Sequence, residues 1–231
     1  MMNKGPAKRH ALTTRLWHWT NAAAFVVLFM SGLNISNAHR ALYWGDYGYD
    51  MSEAWLIVTR FPAWMTIPQR YDLAEARDWH NLSAWIFALG LLVMWAMSLV
   101  NRHFARDIAT SLNDWRPAAW RAAIKEHAQP GDHGDKSYNA VQKISYGLVL
   151  GIGLPLMIAT GLAISPGFEV SAPWLVEGLG GRQSARSLHF LCAWGLAGFV
   201  AVHLVMVLWS GPLTQIGRMI TGGRREGDAN A

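Results

Sequence analysis

Charge is scarce in this sequence and cysteine is almost absent. Only 15% of the 231 residues are Asp, Glu, Lys or Arg. Four stretches contain none of them: Leu16 to Ala38, Trp79 to Asn101, Ile144 to Phe168, and Ser187 to Gly217. Each is longer than the roughly 20 residues that a helix needs to cross the hydrocarbon core of a bilayer. Four such runs in one short chain argue against a soluble domain. With no acid inside any run, a zinc site or a proton-driven transporter loses its usual carboxylate ligands. The single cysteine, Cys192, excludes an internal disulfide, a Cys-based metal cluster and a Cys-x-x-Cys-His haem attachment. It reads instead as a small packing residue. Internal repeats and low-complexity tracts are also missing. The first apolar run outlasts a signal-peptide core and lacks a small-residue cleavage site, so it is expected to be a retained helix.

What is present predicts an all-α integral membrane protein. The expectation is one domain over residues 1–231, an up-down-up-down four-helix bundle with spans at about 15–36, 79–101, 140–164 and 186–210. Short interfacial helices are expected in the loops. Fourteen of the 20 Lys and Arg fall in the N-terminal tail, the loop between the second and third spans with the start of the third, and the C-terminal tail. The other two loops hold only Arg40, Arg60, Arg70, Arg77, Arg182 and Arg186. The positive-inside bias therefore puts both termini in the cytoplasm. The net charge of +5 reflects this bias and carries no nucleic-acid reading.

Two loops have structure of their own. The outward loop, Asn37 to Asp78, is rich in Trp and Tyr. Ser52-Glu53 ahead of Ala54 to Val58 reads as a short N-capped helix that closes before Pro62. The loop either lies among lipid headgroups or covers a cofactor and docks a partner. The inward loop contains Trp115 to Lys125, which reads as an amphipathic surface helix followed by a turn at Gly131 and Gly134. The third span has no histidine but carries Gly147, Gly151, Gly153, Pro155 and Gly161, the composition of a close-packed, kinked helix.

Nine histidines are present, and depth separates them. His10, His127 and His133 lie in polar segments, and His39 and His103 just beyond span ends. His18, His80, His189 and His203 remain. The last two are fourteen residues apart on the fourth span. That separation is about 40° short of four full turns, so both imidazoles leave nearly the same face, roughly 21 Å apart along the axis. With the topology above, His18 and His203 fall at the cytoplasmic level, and His80 and His189 at the outer level. A lone intramembrane histidine is often a hydrogen-bonded packing residue. Two pairs at matching depths fit two flat macrocycles, each held between facing helices by two neutral imidazoles. Six-coordinate iron of that kind leaves no position for oxygen and favours electron transfer.

Arg15 lies three residues before His18 on the first span. On the outer side, Gly180 to Arg186 offers Arg182, Arg186, a Ser184 cap and a helix N-terminus, all favourable to an anion such as a haem propionate. Anchoring to lipid headgroups is the competing role for the arginines.

Arg15 to Trp19, Trp79-His80, and Ser187 to His189 with His203 resemble the pattern of bacterial cytochrome b561. They also resemble the b-type cytochrome subunits of nickel-iron hydrogenase, formate dehydrogenase and thiosulfate reductase. The resemblance covers roughly residues 10 to 220. It implies two non-covalent haem b groups, each with two histidine ligands: His18 with His203 on the cytoplasmic side, and His80 with His189 on the periplasmic side. It further implies an electron-transfer subunit, without catalytic residues of its own, working between membrane quinone and a periplasmic redox protein. Asn37 to Gly45 and Gly180 to Arg186 look similar to a subgroup paired with a molybdopterin oxidoreductase. Two rivals stay open: a stand-alone superoxide or quinone oxidoreductase, and a histidine-based metal transporter or sensor.

Overall fold

The computed structural model describes residues 12–48, 50–100, 102, 109–127 and 139–223, without the side chains of Glu126 and His127. The expectations for His10, His103 and His133, the imidazole of His127, the Gly131–Gly134 turn and Asn101 at the end of the second span lie outside these residues. Four helices are long and apolar enough to cross a membrane: α1 (Leu12–Ala38), α2 (Leu73–Val100), a third at Ala140–Ile164, and a fourth at Arg182–Trp209. They suit a membrane four-helix bundle.

Polarity is distributed inside out. Ser31, Thr160 and Ser187 are fully buried, while Leu99 and Val100 are 70% and 80% exposed. In water that arrangement would be costly, but lipid tails are as apolar as leucine. Small and hydroxyl-bearing residues let helix backbones approach, and the large aliphatic side chains face outward.

The sequence sets the helix ends. Asp72 accepts from the Glu75 amide at 3.0 Å, so α2 starts six residues before the uncharged run, with Glu75, Arg77 and Asp78 in its first turns. Between the second and third spans lie α3 (Pro117–His127) and α4 (Ala140–Leu148). Asn139 and Gln142 form a reciprocal capping box at the start of α4. The third span is not one regular helix. A π-helical turn at Val149–Gly153 joins α4 to α5 (Leu154–Ile164). Pro155 has no amide proton to give the carbonyl of Gly151, so the regular ladder cannot continue through it. The Cys192 thiol donates to the Gly153 carbonyl at 3.3 Å. Short helices α6 (Pro166–Ser171) and α7 (Pro173–Gly178) lead into α8 (Arg182–Trp209), and α9 (Pro212–Thr221) follows Gly211, whose φ of 91° makes the turn.

Backbone contacts divide the chain into two compact units. One comprises the described parts of Met1–Thr20, Gly90–Val149 and Phe199–Ala231, and the other those of Asn21–Leu89 and Leu150–Gly198. In the first, Arg15 Nη1 donates to the Ile220 carbonyl and the Trp19 indole to that of Met219 at 3.3 Å, fastening α9 to the start of α1. Lys143 pairs with Asp114 at 3.4 Å, which holds the turn before α3 to α4.

In the second unit the outer loop departs from expectation. Leu56–Ile57 is a strand, β2, antiparallel to β1 (Ala41–Leu42), and not part of a helix. Only a single 3₁₀ turn, Met51–Glu53, precedes it, and Asp50 is its cap in place of Ser52. A short apolar run such as Trp55 to Val58 suits either structure, and here the backbone of Arg40 to Leu42 supplies a partner. Asn37 makes a two-way bond with the Phe61 backbone, at 2.7 and 3.0 Å. Asn34 donates to the carbonyls of Pro68 and Arg70. The loop then docks on α8. The Gly45 carbonyl accepts from the Gln183 and Ser184 amides, and Ser184 Oγ accepts from the Gly45 amide at 2.7 Å. Ser187 Oγ donates to the Tyr43 carbonyl at 2.6 Å and accepts from the Trp55 indole at 3.0 Å. Gly181, at φ 101°, sits where a Cβ would come within 2.5 Å of the Gly45 carbonyl carbon.

Candidate functional site

The four intramembrane histidines meet in twos. In one unit, the rings of His18 on α1 and His203 on α8 lie with centroids 6.4 Å apart and planes tilted by 60°. In the other, His80 on α2 and His189 on α8 lie 6.2 Å apart at 61°. Neither distance is a direct hydrogen bond between imidazoles. A metal–nitrogen bond of about 2.0 Å, with about 1.2 Å from ring nitrogen to ring centre, puts two imidazoles on opposite sides of one metal ion at about 6.4 Å between centroids. Both pairs have that spacing. Among the described residues no three His, Cys, Asp or Glu side chains converge as a small-metal site would require.

The protonation of the second pair follows from its neighbours. Ser31 Oγ lies 2.6 Å from the Val27 carbonyl, an acceptor only, so the hydroxyl donates its single proton there. Towards His80 Nδ1, 3.0 Å away, the hydroxyl can then only accept. Thr160 repeats the arrangement, donating to the Leu156 carbonyl at 2.7 Å and accepting from His189 Nδ1 at 2.8 Å. Both neutral imidazoles thus carry the proton on Nδ1 and present the Nε2 lone pair. Each hydroxyl is followed by a glycine, Gly32 or Gly161, whose missing Cβ would stand 3.6 or 3.4 Å from the histidine Cε1. The sequence reading passed over Ser31 and Thr160. An isolated hydroxyl in an apolar helix was the available signal, and many other residues share it.

In the first pair, Trp19 meets His18 edge-on at 5.1 Å and Phe199 stacks on His203 at 6.4 Å and 12°. Arg15 is buried, and its Nε finds no hydrogen-bond partner among the described residues. An orphaned buried guanidinium N–H suits an anion that the polypeptide does not supply.

The predicted anion site before His189 is arranged differently from expectation. Arg182 is bonded to Glu169 and to the Ile164 carbonyl, both at 2.9 Å. Ser184 and the first amides of α8 are taken by Gly45, so the helix N-terminus is already capped by the loop. Arg186 bonds only Gln183 among the described residues, at 3.0 Å. Arg77, which the sequence reading left in the loop count, donates to His39 Nε2 at 3.2 Å. Burial, with the charges of Arg186 and Arg77, holds the His39 imidazole below its ordinary value.

Known proteins are similar to this chain in sequence. Across 208 residues the chain is 29% identical to the "Putative protein-methionine-sulfoxide reductase subunit YedZ1" of Azospira oryzae, covering 86% of this chain and 89% of that protein. Across 206 residues it is 25% identical to the "Probable Ni/Fe-hydrogenase B-type cytochrome subunit" of Cupriavidus necator, covering 82% of this chain and 74% of that protein. Residues 9–222 match the family model of prokaryotic cytochrome b561. The chain, with its four apolar helices and paired intramembrane histidines, belongs to that family and is a multi-pass inner-membrane electron-transfer subunit carrying b-type haem.

Proposed function

We propose that this chain is a di-haem cytochrome, with His18 and His203 the ligands of one haem and His80 and His189 the ligands of the other. Electrons pass through it between membrane quinone and a redox protein on the periplasmic face. The ring spacing of 6.4 and 6.2 Å carries the reading, since it matches two imidazoles on one metal ion, and a tetrahedral metal site would gather further ligands than the described residues bring to either pair. Haem, when bound, supplies one-electron redox chemistry tuned by its ligands and surroundings. The protein's part is to hold position and polarity. Ser31 and Thr160 keep Nε2 of His80 and His189 free to ligate, and the two-ligand arrangement leaves no iron position for oxygen. Arg15 is the propionate contact of the first site and Arg186 that of the second. Arg182 fastens α6 and α5 to the start of α8 through Glu169 and Ile164.

The Lys and Arg bias supports cytoplasmic termini, which puts the His80–His189 site and the docked outer loop towards the periplasm. Both relatives are named as subunits of oxidoreductases, one of methionine sulfoxide and one of hydrogen, and this supports a partner enzyme. A molybdopterin oxidoreductase is the partner class that the resemblance around Asn37 and Gly180 implies. The decisive experiment is His203→Ala. It should halve the haem-to-protein ratio and leave much of the remaining haem spectrum unchanged. Loss of the haem assigned to His80 and His189 in that variant, or an unchanged ratio, refutes the pairing.

A further inference from the structure

We infer that Arg77 and Arg186, with His39 orienting Arg77, form a clamp for carboxylates one helical turn from His80 and His189. The carboxylates it takes are the propionates of the haem those histidines hold. The inference rests on the haem assignment above and adds to it a binding site built from two separate helices, α2 and α8.

Three observations converge. Arg77 precedes His80 by three residues on α2, and Arg186 precedes His189 by three on α8. At that spacing side chains share a helix face about 4.5 Å apart along the axis, so both guanidiniums stand on the faces that carry the paired imidazoles. Next, His39, at the end of α1, accepts from Arg77 Nη2, and the charges of both arginines act on its ring. The arginines of α2 and α8 and the imidazole just after α1 are therefore gathered at one place. Finally, no ion pair among the described residues includes Arg77 or Arg186, while their neighbours are matched, Arg182 with Glu169 and Arg70 with Asp72 and Glu75. Two guanidiniums gathered without a carboxylate partner repel each other, and an anion between them relieves that repulsion. The guanidinium fork fits a carboxylate through two parallel N–H donors. His39 does not reach the anion in this scheme. It accepts on Nε2, which requires its neutral form, and so fixes the plane of Arg77.

A lipid phosphate offers the same oxygen chemistry, so the test must separate the two anions. Full-length His203→Ala protein, with His18→Ala as a repeat, is made in a haem-deficient host so that only the His80–His189 site is read. It is then titrated with haem b and with haem b dimethyl ester, whose propionates are neutral. The clamp predicts at least a tenfold preference for the free acid. Arg77→Gln and Arg186→Gln should each erase most of this preference without weakening the diester. His39→Ala should reduce it and His39→Gln, which keeps an acceptor, restore it. In the free-acid form Arg77→Gln should also shift the redox equilibrium towards ferric iron by up to about tenfold, equivalent to about 59 mV for one electron. Equal binding of acid and diester, with and without the arginines, overturns the clamp and is the result expected of a lipid phosphate site. Failure of both single-site proteins to bind any haem overturns the haem assignment itself.

Discussion

Thr160→Val isolates a single hydrogen bond at the His189 site. Valine matches threonine in shape and replaces only the hydroxyl, so no cavity forms. Thr160 is fully buried, and its Oγ1 is the acceptor, at 2.8 Å, for the proton on His189 Nδ1. Its own donation to Leu156 is expendable, because that carbonyl is already within the helix ladder. Valine therefore takes one acceptor from a buried imidazole N–H whose other acceptor is the Met157 carbonyl, a loss of about 0.5–1.5 kcal/mol. The ring can escape by turning or by moving its proton to Nε2, and either response removes the lone pair that ligates. Since about 1.4 kcal/mol is tenfold in an equilibrium constant, haem affinity at this site should fall by about 2- to 12-fold, at the low end of the roughly 10- to 100-fold cost of losing partners that orient metal-bound histidines. Thr160→Ser is the control. It removes a methyl group, worth about 0.8 kcal/mol of burial, and keeps the acceptor. The assay is haem transfer from the purified protein to an excess of a haem-scavenging protein, followed by optical spectra. Equal retention by Thr160→Val and the parent protein refutes the tautomer argument, as does greater loss from Thr160→Ser than from Thr160→Val.

Other expectations concern the loop and its surroundings. Gly181→Ala meets the Gly45 backbone and puts a side chain at positive φ, so at least about 1–2 kcal/mol of local stability should be lost; limited proteolysis between β1 and α2 measures it. Asn37→Leu removes both bonds to Phe61 and should cost about 1–3 kcal/mol, read as a lower thermal midpoint with haem content retained. His39, with its lowered pKa, should stay neutral as pH falls through 6.5. Its contribution to stability is complete above that value and is lost only as pH drops through the lower folded-state pKa. Histidine-ring NMR gives the protonation directly, and a ring that titrates at or above 6.5 contradicts the arrangement with Arg77.

The features legible in advance share a cause. Spans show in sequence because the bilayer demands about twenty consecutive apolar residues whatever the neighbours are. The common face of His189 and His203 shows because helix geometry relates residues on one element. The misread features depend on distant partners. Trp55 to Val58 suited a helix until Arg40 to Leu42 offered a ladder. The N-terminus of α8 looked open to an anion until Gly45, far away in sequence, supplied its acceptor. Arg182 and Arg186 are equivalent in sequence, and Glu169 distinguishes them.

Sequence by itself determined that four helices cross the membrane and that four histidines lie within them. Both are consequences of composition and local periodicity in an apolar solvent. Span order also sorted those histidines into the two pairs, and only the tertiary structure decided at what separation the rings of each pair meet and with which proton in place. Those properties come from hydroxyls on other helices: Ser31 on α1 sets His80, and Thr160 on α5 sets His189. A ligand's lone pair is fixed by what bonds its opposite nitrogen, and that bond forms only when the helices pack.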